Sequence, residues 1–509
     1  MIYFSRYCFF VFAIILFIIE SILVIKGDVG GDFWEHASAI KELSLHPFNP
    51  SNPVLNIDIP HAFFSPYSLM VATVSRITGL NPVLTLQYVF SFINLVLFIA
   101  GFYFFCKQVF KENTQLVAAT GLLFILFFWG KDPFTWSGFY HIIVLTAVLS
   151  YPSTFAMSLS FFVLGMVAKN PFDKYASSKN LLTILLITIV LLSHPTTGIQ
   201  LFIGIAALYF TISNFSLKQT LLRSLFLIVP ALLLSFCWPY FNTISLLFDN
   251  NEEFQTASLL MYKAILSKNW PFFVLLPGVL LFYRNNKQLV ISNGQKTNNC
   301  QLSIACRFLS IYITTLIIVY IAGYFSSHYI IGRLISGIML FSQLLIACII
   351  VTAIKNKYAN AVLYSSFVAL TFMISLYRNR MFAERFFTFP AMKTYDRFSF
   401  LEKFVLENEV VMADQGTSRI VSAFAGKVIT STTPMYHVFD LPQRRKDVND
   451  FFDKGVSDSI RQSILNKYHV RFILLNHKQD TLSNSTLMWM RSAGTLLYNK
   501  DSLELISIK

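Results

Sequence analysis

What most constrains this chain is a succession of apolar runs, each about as long as a bilayer is thick. A helix crossing the hydrocarbon core needs about 20 mostly apolar residues. Runs of that kind lie near 7–26, 84–106, 114–130, 149–168, 180–194, 196–213, 224–246, 269–284, 308–327, 333–354 and 358–377. Those near 114–130, 180–194 and 269–284 are short. Backbone polar groups in lipid must be satisfied within the span. The expected fold is therefore an α-helical polytopic membrane protein of about 11 spans. The first run has only Arg6 ahead of it and no small-residue cleavage site, so it reads as a retained span and not a signal peptide. Composition agrees: 13% of residues are charged, against roughly 25% in soluble domains. Residues 378–509 contain no such run. The expected division is a helical region, 1–377, and a separate polar tail, 378–509.

The net charge of +14 would suggest nucleic acid if it were spread over one surface. It is instead sorted by loop. With the N-terminus cytoplasmic, the inner loops hold fourteen Lys and Arg against two acids, Glu112 and Asp173. The outer loops before the tail hold seven basic residues against nine acids. That bias is the positive-inside pattern, and it predicts membrane topology with no role for nucleic acid. An odd number of spans leaves the tail outside. On this topology all nine histidines fall on the outer side or at outer span ends, and all six cysteines in spans or inner loops. The exported parts then carry no disulfide framework, and the residues most ready to exchange protons near neutrality sit on one face.

Two outer segments carry further structure. The first outer loop, 27–83, is far longer than an ordinary helix–helix connection. Asp32-Phe-Trp-Glu35-His36 opens an amphipathic helix to about Leu45, with Trp34, Ala37, Ile40 and Leu43 on one side. A Pro/Asn-rich stretch follows, and His61-Ala-Phe-Phe-Ser-Pro-Tyr67 leads into a second short helix ending near Gly79. The aromatic residues of both favour the membrane interface. The tail reads as a small α/β unit. It has helix over 395–407, strand Glu409–Asp414, helix over 417–425, strand Lys427–Thr430, helices near 443–453 and 457–468, strand Arg471–Leu475 and a strand pair near 495–508. Its first strand–helix–strand is the signal for parallel pairing.

Candidate functional residues cluster in the outer parts. Asp32-x-x-Glu35 has the form of a capping box. Asp32, Glu35 and His36 also project from one helical face, just past the first span, so the same residues are candidates for acid–base work. Glu20, the one acid within a span, reads as a carboxyl hydrogen-bonded to a neighbouring helix. Asp132 and His141 belong to an outer cluster that runs from Lys131 to Trp136 and on to Tyr151. His61, His141 and His194 are candidate metal ligands, phosphate partners or acid–base groups, and capping or packing would equally account for them. None lies in a metal-ligand spacing. Arg333, an always-charged fork at the outer end of a span, suits a phosphate. Gln443–Asp447 reads as a solvated helix face. The chain has no Walker loop, GxGxxG or nucleophile elbow.

Taken together, the chain resembles the GT-C class of membrane glycosyltransferases, which includes protein O-mannosyltransferases and aminoarabinose transferases. The resemblance is carried by Gly31-Asp32-Phe-Trp-Glu35-His36, by His61–Tyr67, by His194-Pro-Thr-Thr-Gly198 and by the tail from Val410 to Leu475. It covers most of the chain as architecture and departs from the class pattern in one respect: Phe33, not an acid, follows Asp32. The resemblance implies a hexosyl or pentosyl transferase of the bacterial inner membrane with an extracytoplasmic site. Its donor would be a polyprenyl-phosphate-linked sugar, its acceptor an extracytoplasmic glycan, lipid or protein, and transfer would proceed with inversion. On that reading Asp32, or else Glu35, is the base. His36, His61, Tyr67, Asp132, His141, His194 and Arg333 then bind substrate or phosphate. A divalent cation could assist, although the sequence requires none. Competing readings are a flippase of lipid-linked sugars, an O-antigen-type polymerase or ligase, and a non-catalytic envelope scaffold. The absence of an evident internal repeat counts against the flippase, and the C-terminal α/β tail against the polymerase.

Overall fold

The computed structural model describes residues 2–353 and 388–508, apart from 60, 112–113, 130–132, 172–176, 244–261, 263–298, 327, 389–391, 432–434, 436–437 and 480–481. The runs expected at 269–284 and 358–377, and Asp132, lie outside the described residues. The chain divides into two compact units. One comprises Met1–Gly27, Phe90–Pro239 and Thr243–Phe389; the other comprises Asp28–Val89, Tyr240–Asn242 and Pro390–Lys509.

The first unit is a helical bundle whose apolar helices make this a multi-pass membrane protein. Among the described residues, seven helices are long and apolar enough to cross a bilayer: Tyr7–Lys26, Pro82–Phe110, Pro152–Lys169, Pro195–Ile212, Leu217–Ser235, Ile304–Ser326 and Tyr329–Val351. Two shorter apolar helices, Thr114–Phe127 and Ser178–Ser193, fall on runs that were short in the sequence. The run expected at 224–246 differs. Its helix begins at Leu217 and stops at Ser235, after which 236–238 tighten into i→i−3 bonds. Pro239 disfavours a helical residue before it.

Close approach and internal polar bonds hold this bundle, because lipid offers no hydrophobic drive between helices. A Cβ on Gly101 would lie 2.6 Å from the Ser158 carbonyl oxygen, so only glycine lets those two helices meet. Asn94 donates to the Leu149 carbonyl at 2.7 Å, Tyr312 to the Gln200 carbonyl at 2.7 Å and Gln343 to the Phe128 carbonyl at 2.7 Å. Glu20 has the helix partner expected for it: the Thr146 hydroxyl donates to its Oε2 at 2.7 Å.

The second unit joins the first outer loop to the tail. The sequence division assigns 27–83 to the helical region, whereas the structure packs 28–89 with 390–509. Apolar runs reveal which segments need lipid; they do not reveal which polar segments share a core. The sheet comprises β1 (Val410–Met412), β2 (Lys427–Val428), β3 (Val470–Asn476), β4 (Gly494–Lys500) and β5 (Leu503–Ile508), in the order β2-β1-β3-β5-β4. β1 is parallel to both β2 and β3, the expected βαβ pairing, while β5 is antiparallel to β3 and β4. Asp501 and Ser502 turn the β4–β5 hairpin with φ of 56° and 63°, the left-handed pair that matches strand twist. Helix Asn484–Ser492 is absent from the sequence reading, since its first turn of Asn, Ser and Thr favours caps and turns over helix interiors. Met412, Phe451, Ile473, Leu475, Met490 and Ile506 form part of the core.

The loop helix Phe33–Leu45 is buried on nearly all sides. Its aromatic side, expected at the membrane interface, is covered by the tail: Trp34 packs on Phe424 at 5.6 Å between ring centroids. On the same helix Ser38 shares a 2.8 Å hydrogen bond with Ser422. Leu55 bridges Val428 in parallel, and the Val428 N–H donates to the Val54 carbonyl at 2.8 Å. This contact covers the outer side of β2, at one end of the sheet, which would otherwise present unpaired backbone groups.

Candidate active site

The loop–tail unit holds five of the residues singled out in the sequence, Asp32, Glu35, His36, His61 and Tyr67. Gly31 adopts φ +63°, a conformation glycine takes without strain, and the chain enters the loop helix immediately after it. Asp32 occupies the N-cap position with φ −69° and makes no side-chain capping bond. The capping-box reading of Asp32-x-x-Glu35 therefore fails here: a cap residue has extended geometry, and Asp32 is already helical. Asp32 is exposed, and among the described residues its carboxylate accepts no hydrogen bond.

Glu35 lies on the buried side of the same turn, 1% exposed, so the three residues do not share one environment. The Ser431 hydroxyl donates to Glu35 Oε1 at 2.6 Å. His36 is buried and stacks on Phe63, ring centroids 4.3 Å apart. Burial depresses its imidazole to about 4, with the charge of Asp32 pulling the other way. His61 is also buried, and its Nδ1 accepts the Phe63 N–H at 3.1 Å. Burial, then His36 and Lys427, hold it down at about 3. Both rings are neutral at pH 7, and the Phe63 bond requires His61 Nδ1 to be unprotonated. Tyr67 is fully buried in the first turn of helix Pro66–Thr78.

A buried ion pair fixes this loop to the tail. Lys427 Nζ lies 2.8 Å from Glu42 Oε2, with side chains 6% and 9% exposed, and donates to the Asn52 carbonyl at 2.6 Å. Burial alone would raise the Glu42 carboxyl, but Lys427 and Ser51 outweigh it and hold it below its ordinary range. Arg445, read from sequence as part of a solvated face, donates from Nε to the Ser431 carbonyl at 2.9 Å. Sequence reasoning missed Ser431 and the pairing of Lys427. A serine after a short strand and a lysine at a strand start carry no signal of a partner some 385 residues away.

The other candidates belong to the helical unit. His141 is buried, and its Nε2 donates to the Phe134 carbonyl at 2.9 Å. Burial lowers it to about 4, with the Phe134 bond opposing, and its ring meets Trp129 edge to face, centroids 5.5 Å apart. His194 Nδ1 accepts the Thr197 N–H at 3.3 Å and meets the Thr197 hydroxyl at 2.7 Å, which caps helix Pro195–Ile212. Arg333 extends its fork to Ser137, with Nη2 2.9 Å from the carbonyl oxygen and 2.5 Å from Oγ. Its Nη1 donates to the Tyr329 hydroxyl at 2.9 Å. Among the described residues no three His, Cys, Asp or Glu side chains are arranged to hold a metal ion.

No family model matches the chain, and no curated protein matches it in sequence. Solved structures do match it. The archaeal oligosaccharyltransferase AglB from Archaeoglobus fulgidus, in complex with an inhibitory peptide and a dolichol-phosphate, is 13% identical. That match covers 99% of this chain and 74% of that one at a TM-score of 0.53. ArnT from Cupriavidus metallidurans, bound to undecaprenyl phosphate, is 11% identical, covering 98% of this chain and 97% of that one at a TM-score of 0.49. The AglB likeness spans nearly the whole chain, and the chain has the GT-C fold.

Proposed function

We propose that this chain is a membrane glycosyltransferase that moves a hexose or pentose from a polyprenyl-phosphate carrier to an extracytoplasmic hydroxyl, with inversion. Fold alone does not carry function; the observation that carries the reading is Asp32. Its carboxylate stands exposed at the start of the loop helix and is not engaged in capping. A general base must come within hydrogen-bond reach of the proton it takes, which favours exposed Asp32 over Glu35, buried and already bonded by Ser431.

The chemistry is a single displacement. The acceptor oxygen bonds to the anomeric carbon while the bond from that carbon to the phosphate oxygen breaks. The electron pair of that bond leaves on the lipid phosphate, and the hydroxyl proton passes to the Asp32 carboxylate. The transition state is oxocarbenium-like, so a nearby carboxylate also stabilises it electrostatically. Phosphate departure calls for positioned positive charge.

The test is Asp32→Asn in the full-length protein. The expected result is loss of glycan transfer with protein level and membrane insertion unchanged. Wild-type product yield from Asp32→Asn would remove Asp32 as the base. The glycan missing from a strain lacking the gene identifies sugar and acceptor.

A further inference from the structure

The loop helix lacks the usual means of fixing its first turn. A helix start without a side-chain cap leaves its first N–H groups without that partner. Asp32 supplies no such bond; within the turn its carbonyl accepts the His36 N–H at 3.1 Å. Within that same turn the Glu35 side chain is buried and held by Ser431 at 2.6 Å. A hydroxyl-to-carboxyl bond of that length is at the short end of the range for its type.

Ser431 is in turn held in place. It is wholly buried, its carbonyl accepts Arg445 Nε at 2.9 Å, and it lies three residues beyond the end of β2. That strand is joined to the loop at two further points. Lys427 pairs with Glu42 and bonds the Asn52 carbonyl, and the Val428 N–H bonds the Val54 carbonyl. Segment 427–431 therefore grips the loop near its middle and at the turn that presents Asp32.

We infer that Ser431 is a positioning residue for the proposed transfer: its hydroxyl holds Glu35, and through that turn it sets where the Asp32 carboxylate points. The inference rests on the proposed function, and it gives the α/β tail a part in the chemistry without contact with substrate. Misplacing a reacting group by about 1 Å can cost about 100-fold in rate. Loss of the Ser431 hydroxyl should thus fall on turnover and not on donor binding.

The experiment uses the full-length protein in lipid nanodiscs. Its donor is the radiolabelled polyprenyl-phosphate-sugar fraction from membranes of a strain lacking the gene, and its acceptor the glycan fraction of the same strain. Ser431→Ala is expected to lower kcat about 10- to 100-fold while the donor KM stays within about threefold of wild type. Ser431→Thr, which keeps a hydroxyl, is expected to restore most of kcat. Ser431→Cys, a weaker donor of similar size, falls between them and serves if the alanine variant does not fold. In a double-mutant cycle, Ser431→Ala added to Glu35→Ala should cost little more than Glu35→Ala alone.

Two results overturn the inference by itself, given that Asp32→Asn is inactive. One is a kcat for Ser431→Ala within about twofold of wild type; the other is a threonine variant no better than alanine, either assayed well below its melting temperature. A wild-type protein that transfers no label and is indistinguishable from Asp32→Asn overturns the proposed function itself, and this inference with it.

Discussion

Acid should loosen the loop–tail unit, because two of its buried rings are held neutral. His36 and His61 titrate at about 4 and about 3 in the fold, both lowered chiefly by burial, against an ordinary value of 6.5. Above pH 6.5 neither folded nor unfolded chain carries these protons. Below it the unfolded chain takes them up and the folded chain does not, so stability falls as pH drops toward the folded values. From pH 7 to pH 5 the loss is about 2 kcal/mol for each ring and about 4 for both. That is a large part of the roughly 5–15 kcal/mol that holds a typical domain together. Protonation would also replace the lone pair with which His61 Nδ1 accepts the Phe63 N–H. The assay is hydrogen–deuterium exchange on the detergent-solubilised protein at pH 7, 6 and 5, corrected for intrinsic rates. Peptides within 28–89 should lose protection by about 30-fold for each ring. His61→Gln should remove about half of the pH slope on a free-energy scale. Protection that stays flat between pH 7 and 5, or an unchanged slope in a double glutamine variant, would refute the assignment of these rings as the acid-sensitive groups.

Further outcomes are expected elsewhere in the molecule. Lys427→Met leaves the buried Glu42 carboxylate without its cation and should cost about 3–5 kcal/mol. Melting followed by fluorescence-detected size exclusion would read the loss, and Lys427→Met/Glu42→Leu should recover much of it. Gly101→Val forces a side chain into the approach to Ser158; it should destabilise the bundle by about 1–3 kcal/mol, read as a lower melting temperature in detergent. A topology reporter fused after Lys509 should signal from the outer side, and a cytoplasmic signal would overturn the sidedness drawn from the Lys and Arg bias.

The elements themselves were largely legible. The helix Phe33–Leu45, the Gly79 stop with φ +70° and the βαβ from Val410 to Val428 follow from local pattern. Periodicity, caps and breakers act within a few residues, so one sequence window contains the whole cause. Helix Asn484–Ser492 escaped for the converse reason: its capping residue Ser483 and its few buried contacts, at Thr486 and Met490, give almost no periodic signal.

The site divides along the same line. The sequence by itself determined that this chain lives in lipid, that its second half ends in an α/β tail, and that Asp32, Glu35 and His36 occupy one helical turn. These follow from run length, alternation and i, i+3 spacing. Tertiary structure alone decided that Asp32 is exposed while Glu35 is buried. It also decided that Ser431 and Lys427 hold the loop, and that Arg333, His141 and His194 are engaged with Ser137, Phe134 and Thr197. Whether a carboxylate acts as a base depends on its desolvation and on its hydrogen-bond donors. In this chain the donor to Glu35 comes from a serine 396 positions away, a distance over which sequence pattern carries no information and packing carries all of it.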